Sequence, residues 1–285
     1  MIFPLQSLLS VALQVASLHQ QGVDAFKAHQ YDSAIANLQS AAQSEAEGTP
    51  AFKESMLMIG QSYFMLSQAP KAIPFLERVA GFTDADYMLG YAYLQNRQPE
   101  LSEAAFARLF HLDPKSAAGR LLAGQMLIKK GYEAEAQTEI SRALTLNPSL
   151  PEANFLLAEI ALFQGRIPEA IQYLQGELSL NPNFSMAWYR LGDAYVRQQE
   201  WDNAVPDLQR AIWLNTEFSG PYILLGKCYF KQGNFSNAEG ILRKGLKLDP
   251  ENASGTYLLG QTLMAEGKSD EAHAEMQKVK SLHAQ

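Results

Sequence analysis

A single cysteine, Cys228, stands among 285 residues. One thiol excludes an intrachain disulfide and any cysteine-based zinc cluster, and Cys228 reads as a small buried residue on a helix. Basic residues are also short: 23 Lys and Arg against 30 Asp and Glu give a net charge of −7. Binding a phosphate backbone takes concentrated Lys and Arg that release counterions, so nucleic acid is not expected as a partner. No segment alternates polar and apolar residues with β-branched enrichment, so no strands are expected. The five histidines, His19, His29, His111, His273 and His283, are scattered and form no His-x-x-x-His pair. HExxH, GxSxG, phosphate-loop and dinucleotide fingerprints are all missing. The chain is therefore not read as an enzyme, and no catalytic residue, cofactor or metal site is assigned.

Charge is missing altogether from Met1 to Val23. Ile2 to Leu13 is mostly apolar, but too short and too broken by Pro4, Gln6 and Ser7 to span a membrane. Two readings stay open for residues 1–14. One is a short secretory leader, with Ser10 and Ala12 as the small residues a cleavage site wants. The other is an apolar helix that caps the N-terminal end of the folded chain. Exported (periplasmic) and cytoplasmic locations stay open with them.

What is present is a period. Gly90, Gly124, Ala158, Gly192, Gly226 and Gly260 are spaced 34 residues apart. Twelve residues after each comes a small residue: Ser102, Ala136, Ala170, Ala204, Ala238 and Ala272. Four further on comes a large one: Phe106, Ile140, Leu174, Leu208, Leu242 and Met276. Gly22 and Gly60 open the series, and the intervals of 38 and 30 from Gly22 to Gly90 sum to twice 34. Extra residues around Gly48-Thr-Pro50 lengthen the first connection, and Gly81, a candidate helix C-cap, shortens the second. Each unit reads as two helices, for example 187–198 and 202–214, joined by a turn that often holds Gly131, Gly165, Gly233 or Gly267. The small residue at the node should let paired helices approach closely. One such hairpin cannot bury its own apolar face, whereas stacked neighbours can.

Trp188-Tyr-Arg-Leu191-Gly192-Asp-Ala-Tyr195, followed by Ala204, Leu208 and Ala211, resembles the tetratricopeptide repeat signature. The likeness extends over about eight units from Val15 to Gln285, with departures at Glu177 and Gly245 (for Ala) and at Asp86, Arg120 and Asn154 (for Trp). It implies an all-α fold, a right-handed α-solenoid superhelix whose first helices line a concave groove. It also implies a non-catalytic scaffold that holds a peptide or partner segment there. Carried over residue by residue, the groove has three rows. The first is His19, Leu57, Tyr87, Leu121, Phe155, Tyr189, Ile223 and Tyr257. A middle row runs through Val23, Gln61, Tyr91, Gln125, Glu159, Asp193, Lys227 and Gln261. The third is Phe26, Phe64, Leu94, Ile128, Leu162, Val196, Phe230 and Met264.

The residues singled out for partner contact are Phe64, Tyr87, Tyr91, Leu121, Gln125, Phe155, Glu159, Tyr189, Asp193, Ile223, Lys227 and Tyr257. Phe155 and Tyr189 are expected to point into the groove, outside the packing between hairpins. Apolar rows fit a hydrophobic or amphipathic protein segment. A terminal-carboxylate clamp is not expected, because Glu159 and Asp193 would repel it. The basic side chains Arg190, Arg197, Lys227 and Lys231 read as a solvated face. Self-association stays open. So do two variants of the scaffold reading, an envelope accessory protein in secretion or pilus-like assembly and a regulatory or targeting subunit of an enzyme complex.

Overall fold

The computed structural model describes residues 5–282, with side chains from Leu13 onward; Ser10, Ala12 and His283 lie outside the described side chains. The described residues form sixteen α-helices and no strand, and these group into two compact units, one up to Pro148 and one from Ser149. The first unit holds α1 (Leu5–Lys27), α2 (Tyr31–Ala42), α3 (Pro50–Met65), α4 (Ala69–Glu77), α5 (Thr83–Gln95), α6 (Pro99–Leu109), α7 (Ala117–Ile128) and α8 (Glu133–Leu146). The second holds α9 (Ala153–Phe163), α10 (Ile167–Leu180), α11 (Ser185–Arg197), α12 (Trp201–Leu214), α13 (Ser219–Lys231), α14 (Phe235–Leu248), α15 (Ala253–Ala265) and α16 (Ser269–Leu282). No described helix is long and apolar enough to cross a membrane.

The hairpins close on one device. A Cβ placed on Gly192 would lie 2.6 Å from Leu208 Cγ, and one on Gly226 would lie 2.5 Å from Leu242 Cγ. The same geometry sets Gly60 against Leu76, Gly90 against Phe106 and Gly124 against Ile140. The large residue sixteen positions on thus fills the space that the glycine leaves, and Leu76, Phe106, Ile140, Leu208 and Leu242 are fully buried. Ala158 and Leu174, both fully buried, occupy these positions in the unit whose node is not glycine. The node is small because the facing side chain, as well as the facing backbone, needs the room.

Every hairpin turn contains one residue in the left-handed region. Gly131, Gly165, Gly233 and Gly267 take it with φ between 74° and 78°, and His29, Ser67, Arg97 and Gln199 take it with φ between 57° and 62°. In each case the following N–H bonds back to the preceding helix, as Glu200 does to the Tyr195 carbonyl at 2.9 Å. This is the Schellman-type closure that favours glycine without demanding it. Gly81 is also left-handed, at φ 98°, but it lies in the turn beyond α4, where its N–H donates to Asp86 Oδ2 at 3.0 Å. It serves the connection between hairpins and is not the C-cap of α4.

Packing runs between helices adjacent in the chain. First helices also touch the next first helix, α1 with α3 and α3 with α5 in one unit, α11 with α13 and α13 with α15 in the other. These first helices therefore stand closer together than the second helices that follow them.

Three of the departures from the repeat pattern, Glu177, Asp86 and Arg120, are polar groups with work to do. Glu177, fully buried, accepts hydrogen bonds from the backbone N–H of Glu152 at 2.9 Å and of Phe155 at 3.4 Å. It caps α9, whose own N-cap side chain makes no such bond. Asp86, buried in a tryptophan position, receives Arg108 Nε at 3.0 Å and Nη2 at 2.8 Å. Arg120, in the next such position, lies 2.7 Å from Glu139 and 3.3 Å from Glu103.

Candidate protein-binding face

On a first helix, the positions three before, one after and four after the node share one side, because i, i+4 and i+7 fall on the same helical face. In the second unit this aligns Phe155, Glu159 and Leu162 on α9, Tyr189, Asp193 and Val196 on α11, and Ile223, Lys227 and Phe230 on α13. Tyr257, Gln261 and Met264 do the same on α15. In the first unit Phe64 (α3), Tyr87 and Tyr91 (α5), and Leu121 and Gln125 (α7) occupy the same three positions.

The central part of the first row is not a free surface. Phe155 packs on Phe184 with ring centroids 4.8 Å apart, and Tyr189 packs edge-on against Phe218 at 4.8 Å. Phe184 and Phe218 are the N-cap residues of α11 and α13 and make no side-chain cap bond. Phenylalanine is a poor cap, so packing explains its place. Each of these two rings rests on the entry to the next first helix. Phe155 and Tyr189 therefore belong to the packing between successive hairpins, which corrects the expectation that they stand clear of it. Burial holds the Tyr189 hydroxyl above its ordinary range. The signal that could have shown this was Phe184 and Phe218 themselves, eight residues before their nodes.

Tyr91 also departs from its expected place. Only 4% exposed, it meets Phe106 and Tyr87 edge-on, each at 5.0 Å, lies 5.1 Å beneath Lys130 Nζ, and donates to the Met126 carbonyl at 3.5 Å. Burial, reinforced by Tyr87, pushes its hydroxyl up to about 12. Tyr91 is core, not contact surface. Leu94, Leu162 and Val196 of the third row are buried as well, as is Val23 of the middle row. His19 is engaged by Glu45 at 2.8 Å and by Ser55 at 3.1 Å.

Some aromatic positions remain open. Tyr87 faces a repeat whose next N-cap is Ser116 in place of phenylalanine, and it is exposed, as are Tyr257 and Met264. Phe163, one residue past the third row on α9, is 79% exposed. It borders a cavity of about 320 Å³ lined also by Glu159, Leu162, Arg190 and Arg197. Arg190 Nε lies 2.7 Å from Glu159, and Arg197 lies 2.9 Å from Asp193 while donating to the Leu162 carbonyl at 3.4 Å. Two of the four basic residues read as a solvated face are thus paired with middle-row carboxylates. In the first unit, a cleft of about 560 Å³ joins Leu57 and Gln61 to Pro50, Lys53, Met58 and Phe82. Pro50 and Phe82 stand at the ends of the lengthened and shortened connections, and Lys53 follows in the first turn of α3.

A family model described as tetratricopeptide repeat matches residues 19–86, 87–151, 134–183 and 155–219, and a second of the same description matches 229–285. The chain belongs to the tetratricopeptide repeat family. Proteins of tetratricopeptide repeats bind peptides or other proteins. The crystal structure of MamA is 26% identical at a TM-score of 0.54, over 56% of this chain and 94% of MamA. Pseudomonas aeruginosa PilF is 19% identical at a TM-score of 0.58, over 71% of this chain and 92% of PilF. YrrB, described as a TPR protein with an unusual peptide-binding site, is 20% identical at a TM-score of 0.56, over 63% of this chain and 93% of YrrB. PilF and YrrB are likenesses of fold alone. No curated protein sequence matches the chain.

Proposed function

We propose that this chain is a non-catalytic interaction scaffold that holds an extended, amphipathic segment of another protein along the first-helix face of its second unit. The observation that carries the reading is the cavity beside Phe163. An exposed aromatic ring borders a cavity lined by Glu159, Arg190 and Arg197, where Glu159 pairs with Arg190 and Arg197 is held by Asp193 of the middle row. Apolar side chains of a bound segment would be desolvated against Phe163 and Tyr257, and its backbone would meet polar groups of the middle row. YrrB, of the same fold, lends the reading a precedent for peptide binding. We extend the repeat array from Val15 to Gln285.

The test uses peptides selected by display against the intact chain. Phe163→Ala and Tyr257→Ala should each weaken the selected peptides about tenfold, as exposed aromatic anchors do, with melting nearly unchanged. Trp213→Ala, on a second helix, should leave affinity alone. Peptides that ignore both first-helix substitutions and depend on Trp213 would end the reading.

A further inference from the structure

The second unit has another cavity, of about 460 Å³, between α10, α11 and α12. Its lining includes Gln175, Trp188, Tyr195, Asn203, Pro206 and Asp207, none of which belongs to the three first-helix rows. Trp188 occupies the signature tryptophan position, which Asp86, Arg120 and Asn154 take in earlier repeats. Its indole N–H is already given to the Pro182 carbonyl at 2.9 Å, so what it offers the cavity is ring surface. The Tyr195 hydroxyl accepts from Gln175 Nε2 at 3.3 Å.

Asp207 is the unusual member. Among the described residues no salt bridge or hydrogen bond reaches its carboxyl, and no Lys, Arg or His lines the cavity. A half-buried carboxylate without a partner is costly in a finished protein. Two aromatic rings beside one unpaired acid make a setting that recognises an organic cation on an apolar stem. Guanidinium suits it well, since it is planar, weakly hydrated and stacks on rings. The chain's excess of acid over base, 30 residues against 23, favours the approach of a basic segment.

We propose that this cavity is a second binding site, which seats an arginine side chain of a partner protein, its guanidinium against Asp207 and its stem beside Trp188 and Tyr195. The site shares no residue with the first-helix face, and either can stand without the other. Burial pushes the Asp207 carboxyl up to about 7. Tyr195 is the other titratable group in the lining, and burial holds its hydroxyl above its ordinary value, so it stays neutral. Raising the pH through neutrality therefore converts Asp207 to the form that a cation needs.

A chain carrying W201F and W213F keeps Trp188 as its one tryptophan among the three. Its fluorescence, titrated with acetyl-Gly-Gly-Arg-Gly-Gly-amide and with the citrulline counterpart, reads the site. The arginine peptide should saturate the signal, with the citrulline peptide and the D207N protein each at least about tenfold weaker. Affinity of the unsubstituted site should fall as the pH drops from 8 to 6, which carries the test even if D207N folds poorly. Equal binding of the two peptides, no saturable change, or affinity indifferent to pH would overturn the proposal. Free arginine binding as tightly as the peptide would also overturn it, by making the site one for a small molecule.

Discussion

Glu103 carries a carboxyl that burial, and then the neighbouring Glu139, pushes up to about 8, against the pull of Arg120 and Arg142. Its folded value stands above its unfolded one, so the folded chain keeps a proton that the unfolded chain releases between about pH 4.5 and 8. Stability from this group is full below that window and is lost as the pH rises through it. Glu103→Gln, which keeps the shape and removes the charge, should leave urea unfolding little changed at pH 5 and raise the midpoint at pH 8.5. A difference between variant and parent that does not grow with pH would contradict this account. The residue scale is also where the sequence is hardest to read. Gly90 announces a close contact, but nothing in Tyr91 says that Phe106, Tyr87 and Met126 will enclose it. Exposure on a first helix depends on side chains of the facing helix and the next repeat, which lie outside any local pattern. Tyr87 stays open for the converse reason, since Ser116 stands where other repeats place phenylalanine.

Helix positions were legible because the 34-residue period repeats the same problem: 187–198 and 202–214 became Ser185–Arg197 and Trp201–Leu214. What closes the helices was less so. Four left-handed turns are marked by glycine, whereas His29, Ser67, Arg97 and Gln199 adopt the same conformation without a sequence signal. Glu177 reads as a mere departure from alanine until α9 is seen to begin without a side-chain cap of its own. Its carboxylate supplies from α10 what the first turn of α9 lacks. Glu177→Ala restores the family residue yet should cost about 1–2 kcal/mol, through loss of a charged acceptor at a helix N-terminus. Chemical denaturation would measure the loss, and amide exchange would show it concentrated in α9. An unchanged or raised stability would mean that the amides of Glu152 and Phe155 find other partners.

Across the whole chain the compensated intervals, 38 and then 30, show that connections between hairpins vary while the hairpins do not. The turns explain why. Gln199 at φ 62° leads into Glu200 at φ −87° and ψ 68°, and Gly233 at φ 75° leads into Asn234 at φ −89° and ψ 71°. The two junctions are interchangeable. Removing residues 200–233 would splice Gln199 onto Asn234 and present Gly192 with Leu242 in place of Leu208, the same side chain at the same depth. The chain shortened by that segment should keep its helical content and a single cooperative melt, and should lose the arginine site with Asp207. Aggregation or a broad, multistep melt would show that the repeats are more individual than their turns suggest. If the splice holds, one unequal crossover in the gene could lengthen or shorten the protein by a repeat. The new junction would be sound from its first generation, with no loop left for selection to repair.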